Sequence, residues 1–302
     1  MIHVTDPHLT SLAGLSLKSL RGKRWSGYLS WHRRRRFVHL AEVLERLTEA
    51  VREEDPVQIL VTGDLVHVGL PGEIEAAACW LEALGPPERV MLVPGNHDVY
   101  ARDSWPAVAR SWQPYLGELH PGSDSPFPLR RDIVARDGRV CLVGLSSAVP
   151  SPLFMAYGRL GDAQCRRLDT LLADADGFRC VLVHHPPLPA MTRWRKGLLD
   201  AARLGDVLDR RGAEMILHGH VHRNVSRTGP GGIHIYGTAS ASSGSGACLA
   251  AYRSFDVERL DEGWQVDMRL VVCRPDGSFE IAARERWYAA LRSPARKSSD
   301  AR

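Results

Sequence analysis

The stretch Val93-Pro94-Gly95-Asn96-His97-Asp98 decides how the rest of the chain is interpreted. An apolar run over residues 89–93 ends at Pro94-Gly95, and three polar side chains follow at once. This pattern indicates a buried strand that stops at a sharp turn. In an open α/β sheet, ligands bind just beyond the carboxyl ends of the strands. Asn96 can offer a carbonyl oxygen to a metal, and His97 can donate or accept a proton, although the string alone is also compatible with an ordinary turn.

The same arrangement recurs after four other apolar segments, which cover residues 1–5, 57–62, 179–183 and 214–218. Each of them leads into side chains of the types that bind metals. These side chains are Asp6, His8, Asp64, His184, His185, His220 and His222. Packing alone gives no reason for Asp, Asn or His at all five strand ends. The pattern therefore predicts a site that these strand ends build together.

Length and composition permit a sizeable core, because the chain has 302 residues of which 44% are hydrophobic. We expect one domain over residues 1–292 and a disordered polar tail over 293–302. No run approaches the roughly 20 apolar residues of a membrane span. The first strand begins at Met1 with proposed chemistry at Asp6, which argues against a signal peptide. Six scattered cysteines predict free thiols in a reducing cytoplasm.

Positive charge is concentrated between Pro7 and Ala41, which enclose no acidic residue. The formal net charge of the whole chain is only +4, so the basicity belongs to one surface. Eight cations lie in this segment, interleaved with three aromatic residues: Lys18, Arg21, Lys23, Arg24, Arg33, Arg34, Arg35 and Arg36, with Trp25, Tyr28 and Trp31. Two interpretations stay open: a solvated loop with a charged helix start, and a patch that binds an anionic membrane surface or another polyanion. Glycines at 22 and 27 favour a loop or a broken helix.

Hydrophobic periodicity predicts alternating strands and helices in the first two thirds of the chain. Five apolar residues fall on one helical face before the strand at 57–62: Phe37, Leu40, Leu44, Leu47 and Val51. Further helices are predicted over residues 72–84, 162–175 and 198–211. Residues 100–130 and 186–197 are predicted to be loops, the former with short helices. Residues 252–257 and 264–272 predict antiparallel strands joined by a turn.

The residues at the predicted strand ends form a donor set that suits two transition metals. Three carbonyl-type oxygens and four imidazoles are too rich in nitrogen for calcium, and magnesium prefers oxygen ligands and water. A carboxylate can bridge two cations about 3.5–4 Å apart, and such a pair can clamp the attacking and leaving oxygens of a phosphoryl displacement. Asp64, at the second strand end, is the candidate bridge.

The motifs D-x-H, G-D, G-N-H-D, H-H-P and G-H-x-H occur in this order and resemble those of the calcineurin-like metallophosphoesterase superfamily over roughly residues 1–240. The resemblance implies an α/β sandwich of two mixed sheets flanked by helices, with a basic aromatic insertion at about residues 10–36. It implies a dinuclear centre of Mn²⁺, Fe²⁺/Fe³⁺ or Zn²⁺. Asp6, His8 and His222 would hold the first metal, Asn96, His184 and His220 the second, and Asp64 would bridge them.

By the same resemblance, His97 would act on the substrate as proton donor to the leaving oxygen or as a cation-like stabiliser, with Asp98 orienting it. Asn96, His97 and His185 are the expected substrate contacts. G-N-H-D with H-H-P-P is similar to class III cyclic-nucleotide phosphodiesterases and bacterial glycerophosphodiesterases. UDP-diacylglucosamine hydrolases typically have Arg where this chain has His97, which counts against them. We expect structural roles for five other histidines: His3, His67, His120, His218 and His234.

The sequence thus predicts a metal-dependent hydrolase of phosphoester bonds, and a phosphodiesterase in particular. One alternative is a pyrophosphatase or phosphodiesterase that acts at the membrane surface on a phospholipid or a lipid-linked diphosphate. Another is a non-catalytic scaffold, although a scaffold need not retain all seven ligands and His97. The expected partners are a small or lipid phosphoester and an anionic membrane surface contacted by residues 18–36, whereas no motif for nucleic acid is present. The expected location is the cytoplasm, either free or at the inner face of the membrane.

Overall fold

The computed structural model describes residues 1–9, 12, 20–120, 123, 125–135, 138–245 and 248–291. Lys18 and the predicted tail at 293–302 lie outside these described residues. The strands are β1 (Ile2–Val4), β2 (Ile59–Val61), β3 (Val90–Leu92), β4 (Leu129–Ala135), β5 (Gly138–Leu145), β6 (Phe178–Val183), β7 (Met215–His218), β8 (Val225–Thr228), β9 (His234–Gly237), β10 (Ala251–Leu260), β11 (Gly263–Cys273) and β12 (Phe279–Ala290). The helices are α1 (Lys23–Arg33), α2 (Ala41–Glu53), α3 (Pro71–Leu84), α4 (Ser104–Ser111), α5 (Gln113–Leu116), α6 (Asp162–Ala173) and α7 (Ala201–Arg211).

The strands form two six-stranded mixed sheets, with the orders β12-β11-β10-β1-β2-β3 and β4-β5-β6-β7-β9-β8. In the first sheet β1, β2 and β3 run parallel, and in the second sheet β5, β6, β7 and β9 do so. The carboxyl ends of the parallel strands therefore lie at a common edge within each sheet. The predicted α/β sandwich with two mixed sheets is confirmed.

Strand β6 shows how the second sheet is held between two apolar layers. Side chains alternate between the two faces of a strand. Cys180 and Leu182 belong to the apolar cluster that joins the two sheets, and Val181 and Val183 belong to the cluster under α6 and α7. Both faces are dry, which explains why the sequence shows a continuous apolar run here instead of an alternating one.

Residues 23–33 form the continuous helix α1, so the expectation of a loop or broken helix there is wrong. Gly27 is required by packing, because a Cβ at this position would lie 2.6 Å from Val68 Cγ1 and 2.7 Å from the Tyr100 hydroxyl. Trp31 is buried in a small apolar cluster with Val68 and Tyr100. Helix α1 is therefore seated on the main body of the protein and is not a solvated loop.

Most other predicted elements are confirmed, including α3, α6, α7 and the β10–β11 hairpin. Strands β4, β8 and β12 were not predicted. Strand β12 lies at the edge of its sheet and is mostly exposed, so its sequence lacks the apolar alternation that identifies a half-buried strand. Phe37 does not join the buried face of α2, because it precedes the helix and remains 60% exposed. None of the helices in the described part of the chain combines the length and the apolar character needed to cross a bilayer.

Candidate metal centre

The two sheets bring all seven predicted metal ligands together where their parallel strands end. Asp6 and His8 follow β1, Asp64 follows β2 and Asn96 follows β3, while His184 follows β6 and His220 and His222 follow β7. Neighbouring loops are tied to each other by backbone hydrogen bonds. The amide of Asp6 donates to Gly63, and that of Gly219 donates to His184. The strand ends therefore hold the ligand backbones in fixed relative positions.

The ligand atoms fall into two groups that share one carboxylate. Asp6, His8, Asp64 and His222 form one group, and Asp64, His184 and His220 form the other, with the ligand atoms of each group within 4.8 Å of one another. The Asn96 carbonyl oxygen joins the second group at 3.2 Å from His184 Nε2. Asp64 thus occupies the place that a bridging ligand requires.

The distances between facing ligand atoms fit a cation. His8 Nε2 lies 3.3 Å from His222 Nε2, and His222 Nε2 lies 3.1 Å from Asp6 Oδ1 without hydrogen-bonding geometry. Two ligands that each lie about 2.0–2.2 Å from one metal ion are about 3.0–3.5 Å apart at tetrahedral or octahedral angles. Asp6 Oδ1 and His220 Nε2 are buried and have no hydrogen-bond partner among the described residues. The donor set therefore fits two transition metals.

The hydrogen bonds behind the imidazoles fix which nitrogen faces the site. His8 Nδ1 donates to the Val66 carbonyl at 3.0 Å, and His184 Nδ1 donates to the Thr62 carbonyl at 2.6 Å. Each bond leaves Nε2 as the ligand atom, as is usual for metal-binding histidines. Burial lowers the pKa of His184, but the Asp64 and Asp6 carboxylates outweigh burial and raise this pKa to about 9. The carboxylates thus attract positive charge, from a proton or a metal, to this point.

The backbone is strained at the ligands. Five of the seven have a positive φ, a region that non-glycine residues rarely adopt: Asp6, His8, Asp64, His220 and His222. Such conformations cost about 1–3 kcal/mol each and concentrate at functional sites. Among the described residues, only Asp55 and Phe154 are further non-glycine residues with positive φ. The concentration of strain is evidence for function that does not depend on any motif.

Two motif glycines allow the ligand loops to approach each other closely. A Cβ on Gly95 would lie 2.2 Å from Asp64 Oδ1, and a Cβ on Gly219 would lie 2.6 Å from Asp6 Oδ2. Any side chain at either position would displace a carboxylate. The glycines of the G-N-H-D and G-H-x-H motifs are therefore needed for the shape of the site.

Asp98 does not contact the His97 ring, which differs from the expectation that it orients this ring. Its carboxylate accepts hydrogen bonds from four buried backbone amides, those of Asp64, Leu65, Val66 and Gly95, at 2.7–3.2 Å. Burial and the nearby Asp64 carboxylate raise the pKa of Asp98 to about 7. Asp98 therefore positions the loop that presents Asp64. The Asp98 carboxylate does not orient the His97 ring because these four backbone amides occupy it.

His97 is oriented by two other groups. Its Nδ1 donates to the His67 carbonyl, and its Nε2 accepts a hydrogen bond from Arg35 Nη1 at 3.0 Å. Its backbone amide donates to Asp64 Oδ1 at 2.7 Å. Burial, reinforced by the Arg35 charge, lowers the pKa of His97 well below its usual range. In this arrangement Arg35 supplies the positive charge beside the imidazole.

Both ring nitrogens of His185 are engaged by the protein. Nδ1 lies 2.7 Å from Ser147 Oγ, and Nε2 lies 3.2 Å from the Ala156 carbonyl oxygen. The ring is fully buried and lies against the His220 ring. His185 thus supports a metal ligand and the loop at Ala156, and its predicted contact with substrate has no free nitrogen to make it.

Three residues near the centre were not identified from the sequence. His39 lies within reach of His8 and His222, and its Nδ1 is 2.8 Å from Ser242 Oγ. His67, expected to be purely structural, stacks on the His8 ring. Arg35 was assigned to a charged surface and instead contacts His97. No spacing signal marks them, because α1 and the turn after it bring His39 and Arg35 to the site.

A cleft of about 1060 Å³ contains the centre and is lined by an excess of positive charge. Asp64 is the one carboxylate among its described lining residues. Seven cations from three separate segments line it: Lys23, Arg34, Arg35, Arg193, Lys196, Arg223 and Arg227. Phe154 lies at the rim with 81% of its surface exposed and a φ of 63°. The cleft suits an anionic ligand with an apolar part.

Fold and site together define a metallophosphoesterase with a candidate dimetal site. The model of the calcineurin-like phosphoesterase family matches residues 1–224, and the chain belongs to this family.

Among curated proteins, a probable cyclic nucleotide phosphodiesterase from Synechococcus sp. is 27% identical over 232 residues, which are 76% of each chain. A glycerophosphodiester phosphodiesterase from Enterobacter lignolyticus is 34% identical over 152 residues, about half of each chain (49% and 48%). Among solved structures, a dimetal phosphatase from Danio rerio superposes with a TM-score of 0.57 at 15% identity, covering 89% of this chain and 94% of its own. A purple acid phosphatase from yellow lupin superposes with a TM-score of 0.52 at 12% identity. The superposition covers 94% of this chain and 52% of the phosphatase chain. These structural likenesses concern the fold.

Proposed function

We propose that this protein is a dinuclear metal-dependent hydrolase of phosphoester bonds, and specifically a phosphodiesterase. The observation that carries the proposal is the pair of ligand groups sharing Asp64, with facing donor atoms at 3.1–3.3 Å. The two similar curated proteins are both named as phosphodiesterases, which supports diesters as the substrate class.

In this proposal Asp6, His8 and His222 hold one metal, Asn96, His184 and His220 hold the other, and Asp64 bridges them. Bound metals would supply Lewis acidity toward a phosphoryl oxygen and lower the pKa of water. The chain itself positions the ester: Asn96 and His97 line the cleft beside the ligands. Arg35, held against His97, would add positive charge beside the phosphoryl oxygens, which gain negative charge in the transition state. His97 would stabilise the leaving oxygen or protonate it once the substrate replaces the contact between His97 Nε2 and Arg35.

The test combines metal analysis with turnover. Purified protein should contain about two transition metals per chain, as a two-metal phosphoesterase requires. It should hydrolyse bis-p-nitrophenyl phosphate when Mn²⁺ is added and lose this activity in excess chelator. Full activity in chelator would exclude the proposal, and metal binding without hydrolysis of any diester would instead favour the scaffold alternative.

A second proposal concerns an anionic membrane surface. Three arginines on or next to the carboxyl end of α1 are exposed, Arg33, Arg34 and Arg36, and Trp25 and Phe37 are 49% and 60% exposed nearby in the chain. Clustered cations beside exposed aromatic side chains favour the headgroup region of acidic lipids. Trp31 is buried and cannot contribute, so the surface is smaller than the sequence predicts. In this second proposal the protein is cytoplasmic and lies at the inner face of the membrane. It acts there on a phospholipid or a lipid-linked diphosphate.

Vesicle sedimentation tests this second proposal. Vesicles with acidic lipid should bind the protein at low salt and release it at high salt, because salt screens exposed charges. Changing Arg33, Arg34 and Arg36 to Ser should abolish binding. The matched control changes three exposed arginines elsewhere, Arg102, Arg110 and Arg166, to Ser. Equal loss in both triple variants would show a nonspecific effect of net charge.

A further inference from the structure

The positive charge that lines the cleft is greater than one phosphoester group requires. Two divalent metals by themselves neutralise a phosphate diester, which has a single negative charge. The seven lining cations come in addition, and none of them is ion-paired with a carboxylate in the part of the chain that the structure describes. Unpaired cations close to one another repel, so an arrangement of this kind is stable mainly when an anion lies among them.

Arg35 acts electrostatically on two other cations that line the cleft, Lys23 and Lys196. Arg35 is fixed by its contact with His97. Burial lowers the pKa of Lys196, and the charges of Arg35, Arg34 and Arg193 lower it further. Burial likewise lowers the pKa of Lys23 to about 8, with the Asp64 carboxylate opposing this effect and Arg35 adding to it. Lys23, Arg35 and Lys196 line the same cleft as four of the candidate metal ligands, Asp64, Asn96, His220 and His222.

The segments that carry these cations are tied to each other. Lys23 Nζ donates to Ser151 Oγ at 2.6 Å and to the Met155 carbonyl at 3.0 Å. The loop that begins there is bonded in turn to the loop of Lys196, since the Ala156 amide donates to Arg195 O at 2.9 Å. The Lys23 ammonium is thus held in place before any ligand binds, and the backbone of the Lys196 loop is tied to the same segment, which lowers the cost of binding.

We infer that Arg35 and Lys196 bind a second phosphoryl group, so that the substrate is a diphosphate diester whose other phosphoryl group lies at the metals. This inference rests on the proposed function and names the substrate class of that site. Hydrolysis would form a bond from water oxygen to one phosphorus and break the bond from that phosphorus to the bridging oxygen. Two phosphate monoesters leave, and the two protons of water pass to the released oxygen and to solvent.

The substituents of the diphosphate can come from two sources, a nucleoside diphosphate sugar or a lipid-linked diphosphate. Three substrates are therefore compared in the presence of Mn²⁺: bis-p-nitrophenyl phosphate, a soluble nucleoside diphosphate sugar and a polyprenyl diphosphate ester in detergent micelles. Faster cleavage of the soluble or of the micellar diphosphate supports the inference in either case and identifies the source.

Lys196→Met is the decisive variant because Lys196 is at the surface and makes no contact with His97. Its KM for the preferred diphosphate should rise about tenfold, the effect of losing one charge-assisted contact to a phosphoryl group. This rise should exceed any change in KM on bis-p-nitrophenyl phosphate, which has no second phosphoryl group for Lys196 to bind. Arg35→Met should show the same loss for the diphosphate, with an added loss of kcat on both substrates. The matched control is Arg195→Met, an exposed neighbour outside the cleft lining.

The outcomes separate this inference from the proposed function. If the wild type cleaves bis-p-nitrophenyl phosphate and neither diphosphate, the inference is wrong and the proposed function stands. Equal KM values in Lys196→Met and Arg195→Met for the diphosphate would also overturn it. If none of the three substrates is cleaved by metal-loaded protein, the proposed function itself fails.

Discussion

The metal centre and the cationic wall of the cleft face the same space but are specified in different ways. Every candidate ligand of the centre lies in the loop that follows a buried strand, and short motifs identify it in the sequence. The wall consists of Lys23, Arg35 and Lys196: Lys23 lies in α1, Arg35 in the turn after it, and Lys196 in a turn far away in the chain. Strand pairing fixes the first region, whereas packing of α1 and loop contacts fix the second. Functional residues placed by strands can therefore be recognised in a sequence, whereas those placed by packing cannot.

The largest effect is expected at the bridge of the centre. Asp64→Ala removes the carboxylate shared by both ligand groups, so both metals should be lost or displaced. We expect turnover to fall by more than about 10³-fold, because a two-metal mechanism needs both cations. Metal analysis and kcat are the measurements. Retention of about two metals with full activity would mean that the centre does not depend on Asp64.

His97 contacts both regions, since its amide donates to Asp64 and its ring accepts a hydrogen bond from Arg35. The variant His97→Ala tests what its side chain contributes to turnover. Proton donation to a leaving group typically contributes about 10²–10⁴-fold and matters most for alkoxides. The variant should therefore slow an alkyl diester by about that factor, with a much smaller loss for p-nitrophenyl esters and a near-normal metal content. Equal losses on both ester types would indicate that His97 and Arg35 act together by stabilising phosphoryl charge. Loss of metal would assign His97 to the centre as a ligand.

Substitutions of Asp98 test whether the candidate metal centre depends on the hydrogen bonds that hold its loops. Asp98→Ala leaves four buried amides without their acceptor, so the free energy of unfolding should fall by about 3 kcal/mol or more. Denaturant unfolding measures this loss. Asp98→Asn keeps an acceptor oxygen and should lose less. Unfolding free energies equal to wild type in both variants would contradict the positioning role.

The smallest effect is expected from the wall, at Lys23. Its pKa of about 8 means that the ammonium loses its charge as the pH rises through 8. The KM for an anionic diester should then rise about two- to fivefold between pH 7 and 9, as for a partly exposed ion pair. Lys23→Arg keeps its charge over this range. The KM of Lys23→Arg should therefore rise less than that of the wild type between pH 7 and 9. Identical pH profiles of KM in the wild type and Lys23→Arg would exclude Lys23 from anion binding.

The buried strands that end at the site, the candidate ligands and the family could all be predicted from the sequence, because a buried strand that ends in Asp, Asn or His leaves a local pattern. The sequence also predicted the helices with a strong apolar face, such as α2 and α7. It could not give the exposed edge strand β12, whose residues have no buried face to pattern.

The role of each residue in the basic segment depends on how the segment packs. Arg24 is buried on the carbonyls of Val68 and Gly69, Trp31 enters a core, and Arg35 reaches His97, while Arg33 stays exposed. Four arginines in a row look equivalent in a sequence. The 3.6-residue period of the helix and the turn that follows it direct neighbouring side chains to different surroundings. The role of each cation is therefore set by what the fold places opposite it.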